Sequence, residues 1–158
     1  MSEHPELDGI RDRVQHYLKD LIYGANDGVI TTFAVVAGVV GADLTVRTVL
    51  ILGFANLVAD GFSMGASNFL SIRSDEAVRA DQGLAAREPH AFRHGLATFL
   101  AFLVVGLVPL LAYLVPVIPR TFVAAAVITL ITLFAVGAAR SLVTVKRWWA
   151  AGLEMFFV

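Results

Sequence analysis

The chain has 158 residues, 58% hydrophobic and 16% charged, with a net charge of -1. Soluble domains carry roughly 45–50% apolar and about 25% charged residues, so this composition points to an integral membrane protein with little soluble mass. The near-neutral balance, with no Lys/Arg-rich run interleaved with aromatics, argues against nucleic acid as a partner. The absence of cysteine excludes disulfides, thiolate metal ligands and cysteine nucleophiles.

Residues 1–19 read as a cytoplasmic amphipathic lead-in, with Ile10, Val14, Tyr17 and Leu18 on one face. This segment has no apolar core ahead of a cleavage site, so it is not expected to be a signal peptide. A transmembrane domain over 20–158 follows. Four apolar stretches are predicted to be spans, at about 21–41, 48–71, 96–115 and 122–139. Each reaches or approaches the roughly 20 residues that cross about 30 Å of hydrocarbon as a helix. The apolar/polar alternation of a barrel strand is missing, so the fold class is all-α, a polytopic helical membrane protein. Residues 72–93 read as a polar loop, Pro116 and Pro119 as a tight turn, and 141–158 as an interfacial amphipathic segment carrying Trp148 and Trp149.

Basic residues set the orientation. Arg11, Arg13 and Lys19 precede the first span, Arg73, Arg79, Arg87 and Arg93 separate the second from the third, and Arg140, Lys146 and Arg147 follow the fourth. Only Arg47 and Arg120 fall on the other side. The positive-inside rule then puts both termini and the 72–93 segment in the cytoplasm.

The second stretch carries a polar stripe. Asn56, Asp60, Met64 and Asn68 are spaced four apart, with Ser67 and Ser71 beside them. An ionisable group at this depth is costly, so Asp60 marks a functional-site hypothesis. A thioether one turn from a carboxylate tilts the choice of ligand toward a transition-metal cation. Asp27 is the second intramembrane acid, on a face of the first span shared with Asp20 and Thr31. Gly24-x-x-x-Gly28 and Gly61-x-x-x-Gly65 are small-x-x-x-small patterns that permit close helix approach. The expectation is that the first two spans pack through these faces and bring Asp27 to the Asp60/Met64 stripe. Two carboxylates and a soft sulfur would bind a partly dehydrated divalent cation. Each acid must lose its proton before it coordinates, so metal exchanged for protons is a natural cycle. The Ser, Thr and Asn side chains also suit a simpler role, as interhelical hydrogen-bonding groups.

Weaker metal candidates are His90 and His94, which have a helical i, i+4 spacing, with Glu88 nearby, and Glu154 beside Met155. With Pro89 ahead of it and Arg93 inside it, the histidine pair reads first as a solvated helix start. No phosphate-binding glycine loop and no Ser/His/Asp set is found, which leaves hydrolase and nucleotide chemistry unsupported.

Tyr23-Gly-Ala-Asn-Asp-Gly-Val-Ile-Thr-Thr-Phe-Ala34, Asn56-Leu-Val-Ala-Asp-Gly-Phe-Ser-Met-Gly65 and Trp149-Ala-Ala-Gly-Leu-Glu-Met155 together resemble the vacuolar iron transporter family, from about Leu18 onward. The resemblance implies a transporter, not an enzyme, that moves Fe2+ and often Mn2+ out of the cytoplasm in exchange for protons. It implies no permanently bound cofactor and a five-helix protomer working as a homodimer in a lipid bilayer. Carried across by motif, Asp27, Asp60 and Met64 would line the path, Asp20 would sit at its cytoplasmic mouth, and Asn68 would hold a further stripe position. Two departures are expected to matter. The family's Glu- and Met-rich cytoplasmic metal-binding domain has only the short, Met-free 72–93 segment in its place, where Glu76, Glu88, His90 and His94 would be a poor substitute. The family's fifth helix would open around Gly152-Leu-Glu-Met155, and the sequence stops three residues later at Val158, so four full spans are expected. A prokaryotic plasma membrane is the expected home, with an organelle membrane such as the vacuole as the alternative. The rival functions are a non-transporting scaffold or metal-binding remnant, and an intramembrane aspartyl protease, whose Tyr-Asp and Gly-x-Gly-Asp motifs are missing here.

Overall fold

The computed structural model describes residues 15–114, 121–142 and 147–157. The described residues are helical with short connections and no strand. Six α-helices follow in order: α1 Leu18–Gly41, α2 Val46–Asp81, α3 Ala91–Gly106, α4 Val108–Leu114, α5 Thr121–Ala139 and α6 Trp148–Phe156, with a 3-10 turn at Arg140–Leu142 after α5. Among the described residues, four rods are long and apolar enough to cross a membrane: Leu18–Gly41, Val46–Asp81, Ala91–Leu114 and Thr121–Ala139. The turn expected at Pro116 and Pro119, and the lead-in before Gln15, lie outside the described residues.

Local chemistry sets the helix ends. α1 stops where Asp43 takes the left-handed conformation (φ 55°) and the Leu44 N–H reaches back to the Val39 carbonyl. Asp is one of the few side chains that tolerates that backbone. Thr45 opens α2 by accepting a hydrogen bond from the Thr48 N–H at 3.3 Å. The third rod is broken at Leu107, between α3 and α4, because Pro109 has no N–H to continue the ladder.

One boundary differs clearly from expectation. Residues 72–81, read as loop, continue α2 as helix. Arg, Glu and Ala are good helix formers and no Gly or Pro falls in that stretch, so nothing there breaks the rod. It ends only at Gly83 (φ 69°), where the Leu84 N–H bonds the Arg79 carbonyl. At 36 residues, α2 is about 54 Å long, well beyond the ~30 Å of hydrocarbon. Its last turns therefore stand as a polar post outside the apolar layer.

The small-residue stripes do not pair with each other as expected. Both face α3. A methyl group on Gly28 would come within 2.5 Å of the Phe102 carbonyl oxygen, and one on Gly65 within 2.7 Å of the Gly95 carbonyl oxygen. α3 is thus wedged against α1 and α2 together, with Phe102 fully buried and Leu57, Val36, Val49 and Leu110 around it. The glycine stripes are the seats for that wedge. α6 packs back on α5, with Gly137 against Ala151 and Gly152, and the Phe134 ring over Gly152. The 141–158 segment thus contains a helix whose Ala151 and Met155 are buried against the bundle.

Candidate metal centre

Two polar levels stack along α1. At the inner one are Asp27 on α1 and Asp60 on α2, two helices that pack against each other. Asp27 is half-buried, and its backbone carbonyl accepts a 2.7 Å hydrogen bond from the Thr31 hydroxyl. Asp60 is exposed on a helix whose outer surface around it is mostly apolar, with Ile51, Phe54, Val58 and Phe62 all uncovered by the other described residues. Met64, one turn along, is half-buried against the core cluster. The Asn26 side-chain Oδ1 and the Asn56 side-chain Nδ2 are buried with no hydrogen-bond partner among the described residues. Orphaned polar atoms are rare in native interiors because each costs about 1–3 kcal/mol. Two of them beside two acids mark a polar seam with coordination capacity to offer.

The outer level is two turns toward the start of α1. Asp20 is buried at 4% exposure, not open at a mouth. Its Oδ1 accepts from the Asn68 amide at 2.7 Å and its Oδ2 pairs with His94 Nδ1 at 2.6 Å. The same Asn68 amide donates to the Thr98 hydroxyl at 2.8 Å, and that hydroxyl donates to the His94 carbonyl at 3.1 Å. Asn68 therefore turns away from Asp60 and ties α2 to α1 and α3. The stripe read as one row is divided between two sites.

The histidine pair also separates. His90 is exposed at the N-cap of α3, whereas His94 is 5% exposed, with Nε2 3.1 Å from Glu88 Oε2. The solvated helix start describes His90 only. His94 is buried because the hydrophobic face of α3 carries it inward, where Asp20 supplies the charge partner that a buried imidazole needs. Glu154 lies elsewhere, 2.6 Å from Arg140 on the α5–α6 pair, and meets none of the other candidates.

Two residues of this cluster were missed in the sequence. His16 Nε2 lies 3.4 Å from Glu88 Oε2, and Thr98 bridges Asn68 to His94. A faint signal existed for each, since His16 and Asp20, like His94 and Thr98, are four apart on a helix. Glu76 is not a ligand here. Its carboxylate accepts from the backbone N–H groups of Arg87 and Glu88 at 2.9–3.1 Å, while Arg79 grips the Ala85 carbonyl at 2.9 and 3.2 Å. The outer end of α2 thereby clamps the connection that carries Glu88.

Comparison with known proteins identifies the family. The model of the VIT family matches residues 18–83 and 75–158. A vacuolar iron transporter of Toxoplasma gondii is 45% identical over 60 residues, 38% of this chain and 20% of the relative. One of Plasmodium berghei is 44% identical over 70 residues, 44% of this chain and 23% of the relative. Vacuolar iron transporter homolog 4 of Arabidopsis thaliana is 34% identical over 104 residues, 61% of this chain and 52% of the relative. The matches thus span about half the length of these relatives or less.

Proposed function

The chain belongs to the VIT family, and from that premise we propose that it carries a divalent transition metal, Fe2+ or Mn2+, out of the cytoplasm in exchange for protons. The path runs along α1 and α2 past Asp27, Asp60 and Met64. The observation that supports this reading most is the pair of acids on the two leading membrane-length helices, which pack against each other. Two carboxylates so placed repel when both are ionised, and either a proton or a cation relieves the repulsion. A dication displaces protons from them, and protons arriving from the other side displace the dication. The thioether of Met64 favours a transition metal over Ca2+ or Mg2+, which take oxygen ligands.

Asp60 also supports a homodimer. A charged side chain left toward lipid at mid-membrane costs about 2.5–3.5 kcal/mol on insertion scales, and among the described residues no helix covers this one. A second copy laid against the apolar outer surface of α2 would enclose Asp60 and make the path a shared one. With the family established, the intramembrane aspartyl protease reading is set aside. The cycle is tested by reconstituting the protein in vesicles and following Mn2+ entry with and without a pH gradient. Metal flux that responds to the gradient supports the exchanger, and Mn2+ entry indifferent to it removes the proton half of the proposal.

A further inference from the structure

His16, Glu88 and His94 come from three separate segments: the helical residues just ahead of α1, the 82–90 connection and the first turn of α3. One ligand atom from each lies within 4.8 Å of the other two. Glu88 Oε2 is 3.4 Å from His16 Nε2 and 3.1 Å from His94 Nε2. Donors bound at 2.0–2.2 Å in a tetrahedron stand about 3.3 Å apart, so these two edges already have the spacing of a coordination shell.

The hydrogen inventory points the same way. His94 stands between two carboxylates, Asp20 on Nδ1 at 2.6 Å and Glu88 on Nε2 at 3.1 Å. A neutral imidazole has one N–H. Given to Asp20, it leaves the Nε2 lone pair facing Glu88 and His16, a gap that either a second proton on the ring or a divalent cation held by all three side chains would fill. A carboxylate holding the far nitrogen of a metal-bound histidine is the usual outer support of such a ligand, fixing its tautomer and ring orientation. The ring is further held between Tyr17 and His16, with centroids 4.7 and 4.9 Å away. Glu88 is held in turn through its backbone N–H by Glu76 at 2.9 Å.

We infer that His16, Glu88 and His94 form a divalent transition-metal site at the polar end of the bundle, with Asp20 and Glu76 as positioning residues. Two imidazoles and one carboxylate suit Fe2+, Co2+ and Zn2+ and do not suit Ca2+ or Mg2+. Glu88 and the Asp20 charge relayed through His94 together balance the dication. His16 is exposed and His94 buried, so the site opens on one side and keeps coordination positions free for water. Asp20 and Asp27 are seven residues apart on α1, about 10 Å along its axis, which puts the site one step outside the intramembrane acids. Its existence does not depend on transport.

The test titrates Co2+ into the purified full-length protein in detergent, in a background carrying Asp27→Asn and Asp60→Asn so that the membrane acids contribute nothing. The expected result is one equivalent bound with visible absorption bands of mixed nitrogen and oxygen coordination, displaced by Zn2+ and not by millimolar Ca2+. His16→Ala and Glu88→Gln should each weaken binding at least tenfold. No binding in that background overturns the site. So does a loss confined to His94→Ala with His16→Ala unchanged, because that pattern marks a buried pair that only fastens α3 to α1. His16 is exposed, so its variant leaves the fold intact and keeps the comparison meaningful. Co2+ binding without metal flux in vesicles would sink the transport proposal and leave this one standing, and flux with no Co2+ site would do the reverse.

Discussion

Replacing Asn68 with Leu tests the outer polar level directly. The amide nitrogen uses both of its hydrogens, 2.7 Å to Asp20 Oδ1 and 2.8 Å to the Thr98 hydroxyl. A hydrogen bond to a charged group contributes about 1.5–3 kcal/mol and a neutral one about 0.5–1.5 kcal/mol. Interhelical bonds between neutral groups in membranes average only about 0.6 kcal/mol, which places the Thr98 bond near the bottom of its range. Leu is close to Asn in size, so no large cavity is added to the cost. The expected loss is therefore about 2–4 kcal/mol, roughly a 30- to 1,000-fold shift in the folding equilibrium. Asn68→Asp should lose at least as much, since it sets a second carboxylate against Asp20. Ser67→Ala, on an exposed position of the same turn, should stay within about 0.5 kcal/mol. Equilibrium unfolding in mixed micelles, followed by circular dichroism, reads all three. If Asn68→Leu unfolds within 0.5 kcal/mol of the parent, the Asp20–Asn68–Thr98 bridge is not holding α1, α2 and α3 together.

Two glycines should respond with opposite signs. Gly95→Val drives a side chain to within about 2.5 Å of the Gly65 carbonyl oxygen, which is backbone and cannot move aside, so a loss of about 1–3 kcal/mol is expected in the same unfolding assay. A methyl group on Gly38 meets nothing within 4 Å, and Gly38→Ala should gain about 0.5–1 kcal/mol of helix stability. The Arg140–Glu154 pair is partly exposed, at 22% and 47%. Glu154→Gln should cost no more than about 1 kcal/mol and leave the Co2+ titration unchanged, which separates this carboxylate from the metal-binding ones.

The four apolar rods were legible because membrane crossing depends on length and apolarity, both of which are local. The prolonged α2 was not, since charged residues suit a solvated helix as well as a loop, and only Gly83 marks the end. The glycine stripes announced close approach without naming the partner: a small-x-x-x-small face is a seat for any helix, and α3 took both. That insertion decided the site. It drew Asn68 inward to Asp20 and Thr98 and left Asp60 outward, although the two share a sequence stripe. The cluster of His16, Asp20, Glu88 and His94 was hardest to see, because its members meet only through tertiary packing, and the i, i+4 spacing of His90 and His94 pointed to the wrong pair. The acids Asp27 and Asp60 were visible from the start, because an ionisable residue inside an apolar run is conspicuous whatever it touches.

The central claim is that these two acids carry the metal and hand it over for protons. Its most direct measurement is Mn2+ entry into vesicles holding the parent, Asp27→Asn or Asp60→Asn at equal protein content, under an imposed pH gradient. The parent should show gradient-dependent entry, and each variant should fall to the rate of protein-free vesicles while still migrating as the folded protein. Entry at the parental rate in either variant would contradict the account.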